Sequence, residues 1–274
     1  MERRMRKLGV DNVTASYLKL QSVKQNRGNV LCFVLMFLNF FGLLPLIGEP
    51  FVYSLFIIGF IPTMIMNIWG ILYIVDPYRF ELSYYLYFGI YGFINTFVYS
   101  LVLVKILYFW LDIQGKLPVV FILLFVNSLP ILANWLNYKM LYAGTYDKLQ
   151  KKKNWRIPIF LLPPSSGYII YQLTDSYGSP SALMILFFIC ILMLTIFTAF
   201  FSTNVHKYFF LKNNMTTVLK VFTNFGQPKH IRYAWEIEEK RRKKYNKGKE
   251  KRKKKLMKEK QKRRDQYKKN RRKG

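Results

Sequence analysis

Six stretches of the chain, each 17–25 residues long, contain no Lys, Arg, Asp or Glu: Val30–Ile47, Phe51–Val75, Leu82–Val104, Leu117–Trp135, Ile157–Leu173 and Ser181–Phe201. A helix rises about 1.5 Å per residue, so roughly 20 apolar residues cross a hydrocarbon core about 30 Å thick. Lipid offers the backbone no hydrogen bonds, so each stretch has to satisfy its own, which predicts helices. The expected fold is all-α: a polytopic membrane protein with six transmembrane helices. Only Gly48-Glu49-Pro50 separates the first two. Proline cannot continue a helix and glycine closes a turn, so these two form a tight hairpin.

Charge orients the spans. Seven Lys and Arg precede the first one, six lie in 136–156 and 27 follow the last, whereas 48–50 and 174–180 have none. With six spans and both termini inside, the inside segments hold 41 basic residues and the outside segments two, Lys105 and Lys116. The positive-inside rule therefore predicts cytoplasmic termini. Tyr73, Tyr78, Tyr84, Tyr85, Tyr108, Trp110, Trp135, Tyr138 and Trp155 fall where the headgroups belong. The expected location is a bacterial cell membrane.

The whole chain of 274 residues carries a formal charge of +29 although 52% of it is hydrophobic. The two properties are kept apart: the residues from 206 onward carry +21. Four regions follow: a basic cytoplasmic segment (1–29), a transmembrane domain (30–205), an amphipathic segment (206–228) and a polybasic tail (229–274). In the third, Tyr208, Leu211, Met215, Val218, Leu219 and Phe222 recur at helical spacing among Lys207, Lys212 and Lys220. Such a helix lies in the inner headgroup layer or packs against the inner loops.

The tail is helical or disordered. Glu236, Glu238 and Glu239 pair at helical spacing with the first cations, and like charges repel farther on. Its cations are candidate contacts for anionic lipid headgroups or RNA: Lys240, Arg241, Arg242, Lys243, Lys244, Lys251, Arg252, Lys253, Lys254, Lys255, Arg263 and Arg264. Aromatic residues are sparse there, so RNA contact would be led by phosphate. A protein partner or a second copy of the chain is the further expected contact, beside the bilayer itself.

Polar residues inside a membrane are costly and pair with something. Asn39, Asn95 and Asn127 lie near the centres of the first, third and fourth spans, and Asn67 lies off-centre in the second. They form a candidate intramembrane polar site, either a cavity or a set of inter-helix hydrogen bonds. The fifth span contains Pro163-Pro164-Ser165-Ser166-Gly167. Two prolines remove two donors, so Ser165 and Ser166 belong either to a broken-helix site or to a repaired kink. Lys105 is expected at the outer interface, its stem snorkelling. Cys32 and Cys190 sit alone in apolar runs, which excludes a disulfide framework and a zinc site.

No metal-binding His pair, nucleophile elbow or phosphate-cradling glycine loop is present, so neither catalytic residues, metal nor cofactor are expected. These features predict a non-enzymatic membrane component that binds a protein or anionic partner, of the secretion, transfer or toxin-immunity type. A small transporter or channel built on the fifth span is the alternative. In layout alone, the multi-span body with a cationic inner tail resembles the membrane insertases. That resemblance implies a ribosome-docking tail. The layout is also similar to small multi-span immunity proteins of Gram-positive toxin systems.

Overall fold

The computed structural model describes residues 17, 18, 20–145, 180–232 and 257, and among these it is helical with no strand. Five helices are long and apolar enough to cross a membrane: α1 (Val23–Ile47), α2 (Tyr53–Val75), α3 (Ser83–Trp110), α4 (Lys116–Tyr142) and α5 (Ala182–Asn213). The chain is a multi-pass membrane protein. A short α6 (Met215–Val221) follows. The chain divides into two units, Met1–Gly226 and Gln227–Gly274. The expected span Ile157–Leu173 and nearly all of the tail lie outside the described residues.

Helix α1 starts seven residues before its apolar run. Ser22 caps it: the hydroxyl accepts from Gln25 N (3.3 Å) and Gln25 Oε1 accepts from Ser22 N (2.9 Å). That reciprocal pair satisfies two donors that a helix start leaves open. From Val30 to Leu43 the turns widen to a π-helix. Helix α5 likewise runs past Phe201, tightening over Phe200–Ser202 and continuing through Thr203–Asn213.

Helix α3 is the central element. Of its most apolar 18-residue window 72% is buried, against 22–33% for the other four. It is also the least apolar of the five. The two facts have one cause. Lipid is as apolar as leucine, so packing is driven by close fit and by polar side chains finding partners. The helix with most hydroxyls therefore goes inside. Tyr84, Tyr85, Tyr87, Tyr91 and Tyr99 are all buried. Tyr91 donates to the Phe33 carbonyl (2.8 Å), Tyr99 to Phe37 O (3.2 Å) and Tyr87 to Met66 O (3.0 Å). The Tyr84 hydroxyl accepts from Asn29 (3.0 Å) and that of Tyr85 from Gln21 N (3.1 Å). Helix α2 shows the opposite pattern, with Ile58, Ile61, Ile65, Ile68, Leu72 and Val75 exposed along one stripe.

Two glycines let α5 lie against the α3 backbone. A Cβ on Gly89 would sit 2.5 Å from Val205 N, and one on Gly92 would meet Ser202 N and, at 2.9 Å, the carbonyl carbon of Phe201. Pairings along the helices give their directions. Asn95 meets Thr198 and Tyr85 meets Lys207, so α5 is antiparallel to α3. Asn29 meets Tyr84 and Gly48 meets Lys105, so α1 is parallel to α3. Helix α4 is antiparallel to α3 and parallel to α5: Asn127 meets Ser100, and Asn134 meets Ser202.

The segment after the last span does not stand apart as an isolated surface helix. Leu211, Val218, Val221 and Phe225 are buried in the same unit as the spans. A break at Asn214 divides it into the end of α5 and α6.

Candidate functional site: the buried polar network

The four asparagines enter three separate helix pairs. Asn39 and Asn67 form a reciprocal amide pair between α1 and α2, with Asn39 Nδ2 donating to Asn67 Oδ1 (3.1 Å) and Asn67 Nδ2 to Asn39 Oδ1 (2.8 Å). Asn39 Nδ2 also donates to Leu35 O (2.9 Å). Asn95 Nδ2 donates to Thr198 Oγ1 between α3 and α5 (2.8 Å), while its buried Oδ1 has no hydrogen-bond partner. Asn127 Nδ2 donates to Ser100 Oγ between α4 and α3 (3.2 Å) and to Leu123 O (2.8 Å).

The structure adds partners that sequence reasoning missed. Asn134 Nδ2 donates to Ser202 Oγ (2.8 Å) and to Pro130 O (2.8 Å). Asn137 Nδ2 donates to the Tyr17 hydroxyl (3.4 Å), which is 2.6 Å from His206 Nδ1. The polar groups thus line a seam of α3, α4 and α5, from Asn127 and Ser100 to Tyr17 and His206. Their signal was spacing. Asn127, Pro130, Asn134 and Asn137 fall on one face of α4, and Thr195, Thr198 and Ser202 on one face of α5. Ser165, Ser166 and the break around them lie outside the described residues. So do the twelve tail cations singled out above as candidate contacts for lipid or RNA.

Lys105 departs from expectation. It does lie at the end of the bundle that holds the Gly48-Glu49-Pro50 turn. But its ammonium does not snorkel: the residue is 1% exposed. Nζ donates to Pro45 O (2.8 Å), Leu46 O (3.1 Å) and Gly48 O. A helix end leaves its last carbonyls without intrahelical donors and carries partial negative charge. Gly48 N serves Leu44 O (3.1 Å), and Lys105 serves the next two. Trp110 Nε1 adds a bond to Glu49 O (3.1 Å). Glu81 is the other buried charge among the described residues, and its Oε2 accepts from Gly226 N (3.1 Å).

These polar groups are amides, hydroxyls, the His206 imidazole, the Glu81 carboxylate and one capped ammonium. Such groups bind, orient and hold helices together. Among the described residues no three His, Cys, Asp or Glu side chains are placed to hold a metal ion. Cys32 and Cys190 are both exposed on helix surfaces. No family model, curated protein or solved structure matches the chain.

Proposed function

We propose that the chain is a non-enzymatic component of a bacterial cell membrane, with six spans and both termini in the cytoplasm. It gathers a protein or anionic partner at the cytoplasmic face, in a secretion, transfer or toxin-immunity assembly. The polybasic tail contacts anionic lipid or RNA. The observation that carries this reading is the pairing of the intramembrane amides across helix interfaces: Asn39 with Asn67, Asn95 with Thr198, Asn127 with Ser100 and Asn134 with Ser202. Side chains used in this way hold a scaffold together.

Helix polarity supports the even number of crossings. Helices α4 and α5 run in the same direction, so the end of α4 and the start of α5 lie at opposite ends of the bundle. A chain joining them through the membrane makes a sixth crossing. Reporter fusions at Glu49, Lys116 and Tyr177 should then read outside, and fusions at Lys152 and Gly274 inside. An inside signal at Tyr177 refutes the topology.

A second reading is a small transporter or channel, and one observation favours it: the unpartnered Asn95 Oδ1 at 0% exposure. The two readings separate on Asn95→Leu and Asn127→Leu. A scaffold loses stability or assembly. A transporter stays folded and loses flux. Co-purification of the full-length protein from gently solubilised membranes tests the scaffold directly, because a bound subunit, toxin or ribosome identifies itself.

A further inference from the structure

The fold brings separate basic segments to one end of the transmembrane unit. Tyr17 with His206 and Asn137, Asn29 with Tyr84, and Glu81 with Gly226 show that the starts of α1 and α3 meet the ends of α2, α4 and α5 there. Lys24, Arg27, Arg79, Lys139, Lys212 and Lys220 are exposed at this end. At the opposite end Lys116 and Glu49 are both exposed, and Lys105 is buried.

Four cations at the basic end lie over aromatic rings. The distances to the ring centroid are 5.8 Å for Arg79 over Phe80, 3.7 Å for Lys139 over Trp135, 4.8 Å for Lys207 over Tyr85 and 6.0 Å for Lys212 over Tyr208. A ring at the edge of a bilayer has an apolar body in the acyl boundary and a polar rim in the headgroups. A cation resting on it is held at the depth of lipid phosphate. Trp135 also continues a stripe of exposed apolar residues that includes Leu124, Ile131 and Leu132, so Lys139 stands directly above a lipid-facing surface. The acids at this end do not cancel the charge. Among the described residues of this unit, two acids, Asp76 and Glu81, stand there against seven cations, Lys24, Arg27, Arg79, Lys139, Lys207, Lys212 and Lys220.

We propose that this basic, aromatic-lined end of the transmembrane unit is itself a binding surface for anionic phospholipid headgroups, acting independently of the tail. Lipid fits better than RNA. Single-strand binders stack bases on open aromatic faces, and here Lys139 occupies a face of Trp135 and Tyr85 is buried.

The test uses full-length protein in nanodiscs of equal phosphatidylglycerol and phosphatidylcholine, extracted gently, with the retained lipid quantified by mass spectrometry. One variant combines Arg79→Gln, Lys139→Gln and Lys212→Gln and keeps the tail intact. A second replaces ten Lys or Arg residues between Lys240 and Lys273 with Gln and keeps the body intact. The wild type should retain phosphatidylglycerol preferentially. The body variant should lose about fivefold in that preference for each headgroup deprived of one contact. The tail variant should keep it, as should Lys139→Arg with Lys212→Arg. The proposal fails if the body variant matches the wild type, if only the tail variant loses the preference, or if the arginine variant loses it too. It also fails if an RNA oligonucleotide displaces the retained lipid from the tail-neutralised protein. Because the tail is itself proposed to contact anionic lipid, the deciding comparison is the three body substitutions made in the tail-neutralised protein, where the preference should be lost; if it is kept there, the proposal fails whatever the tail binds.

Discussion

Replacing Lys105 with Met tests the most exacting contact in the fold. The ammonium has three protons, and the structure supplies three acceptors, Pro45 O, Leu46 O and Gly48 O. Hydrogen bonds to a charged group are each worth about 1.5–3 kcal/mol, so three amount to roughly 4–9 kcal/mol. Against this, folding no longer has to bury an ammonium, a burial that costs several kcal/mol. Met keeps the length and the apolar stem, so little packing is lost. The net expectation is a loss of about 2–4 kcal/mol, because three carbonyls lose their charged donor and the recovered desolvation offsets only part.

The loss should also be local. Gly48 N–H bonds to Leu44 O at 3.1 Å, inside the turn that Lys105 closes. Hydrogen exchange there should speed up markedly in Lys105→Met, with the α3–α5 contact unchanged. Unfolding in detergent, monitored beside exchange, gives both quantities. Lys105→Arg should fall between, since a planar guanidinium cannot point three donors at three converging carbonyls as an ammonium does. A Met variant with wild-type stability and a protected 44–50 turn would show that the ammonium is not what holds the helix end.

Two further predictions rest on single contacts. For Asn39→Leu and Asn67→Leu, a double-mutant cycle in unfolding should give a coupling of about 0.6–2 kcal/mol, with the double variant less damaged than the two singles added; strict additivity would deny the amide pair. Gly92→Ala should cost about 1–3 kcal/mol, because the new methyl meets backbone atoms of Phe201 and Ser202 that cannot rotate away. Gly28→Ala is its control: nothing lies within 4 Å of the new methyl in a helical turn, so thermal stability should stay level or rise by roughly 0.5–1 kcal/mol.

Five of the six expected spans were legible because their signal is a run of one kind of residue, which survives without any knowledge of neighbours. Their ends were less so. The Ser22–Gln25 capping pair stands in plain view, yet it precedes the apolar run and moves the start of α1 back to Val23. The end of α5 depends on Gly89 and Gly92, which lie more than 100 residues away and leave room for Val205 and Ser202. The asparagines could be found from depth alone, but their partners could not. An amide opposite Thr198 and an amide opposite another amide look alike until the helices are placed. Lys105 was put at the correct end of the bundle for an incomplete reason. Snorkelling considers only the distance to water, and it overlooks the unpaired carbonyls that a neighbouring helix end presents.

Whether the network is a fixed scaffold or one that opens depends on how its two sides are held. Between α3 and α5 the backbones touch at Gly89 and Gly92, so separating them loses close packing over a whole turn as well as the Asn95–Thr198 bond. Helix α4 packs against the same two helices through buried Val126, Leu129 and Ala133 and adds three side-chain hydrogen bonds, Asn127 to Ser100, Asn134 to Ser202 and Asn137 to Tyr17. At an average of about 0.6 kcal/mol each, the three bonds contribute roughly 2 kcal/mol beside that packing, and losing one raises the share of any open state about threefold. Pro130 lies inside α4 beside this attachment and already lacks one backbone donor, which makes it the bending point. If the molecule opens, α4 therefore moves and α3 stays with α5. Spin labels on the exposed faces of α4 and α5 should show a broader distance distribution in Asn134→Leu than in the wild type, and labels on α3 and α5 should show none of this broadening. Broadening between α3 and α5 instead would mean that the glycine contact is the weaker side, and the argument for a scaffold built on α3 would fail with it.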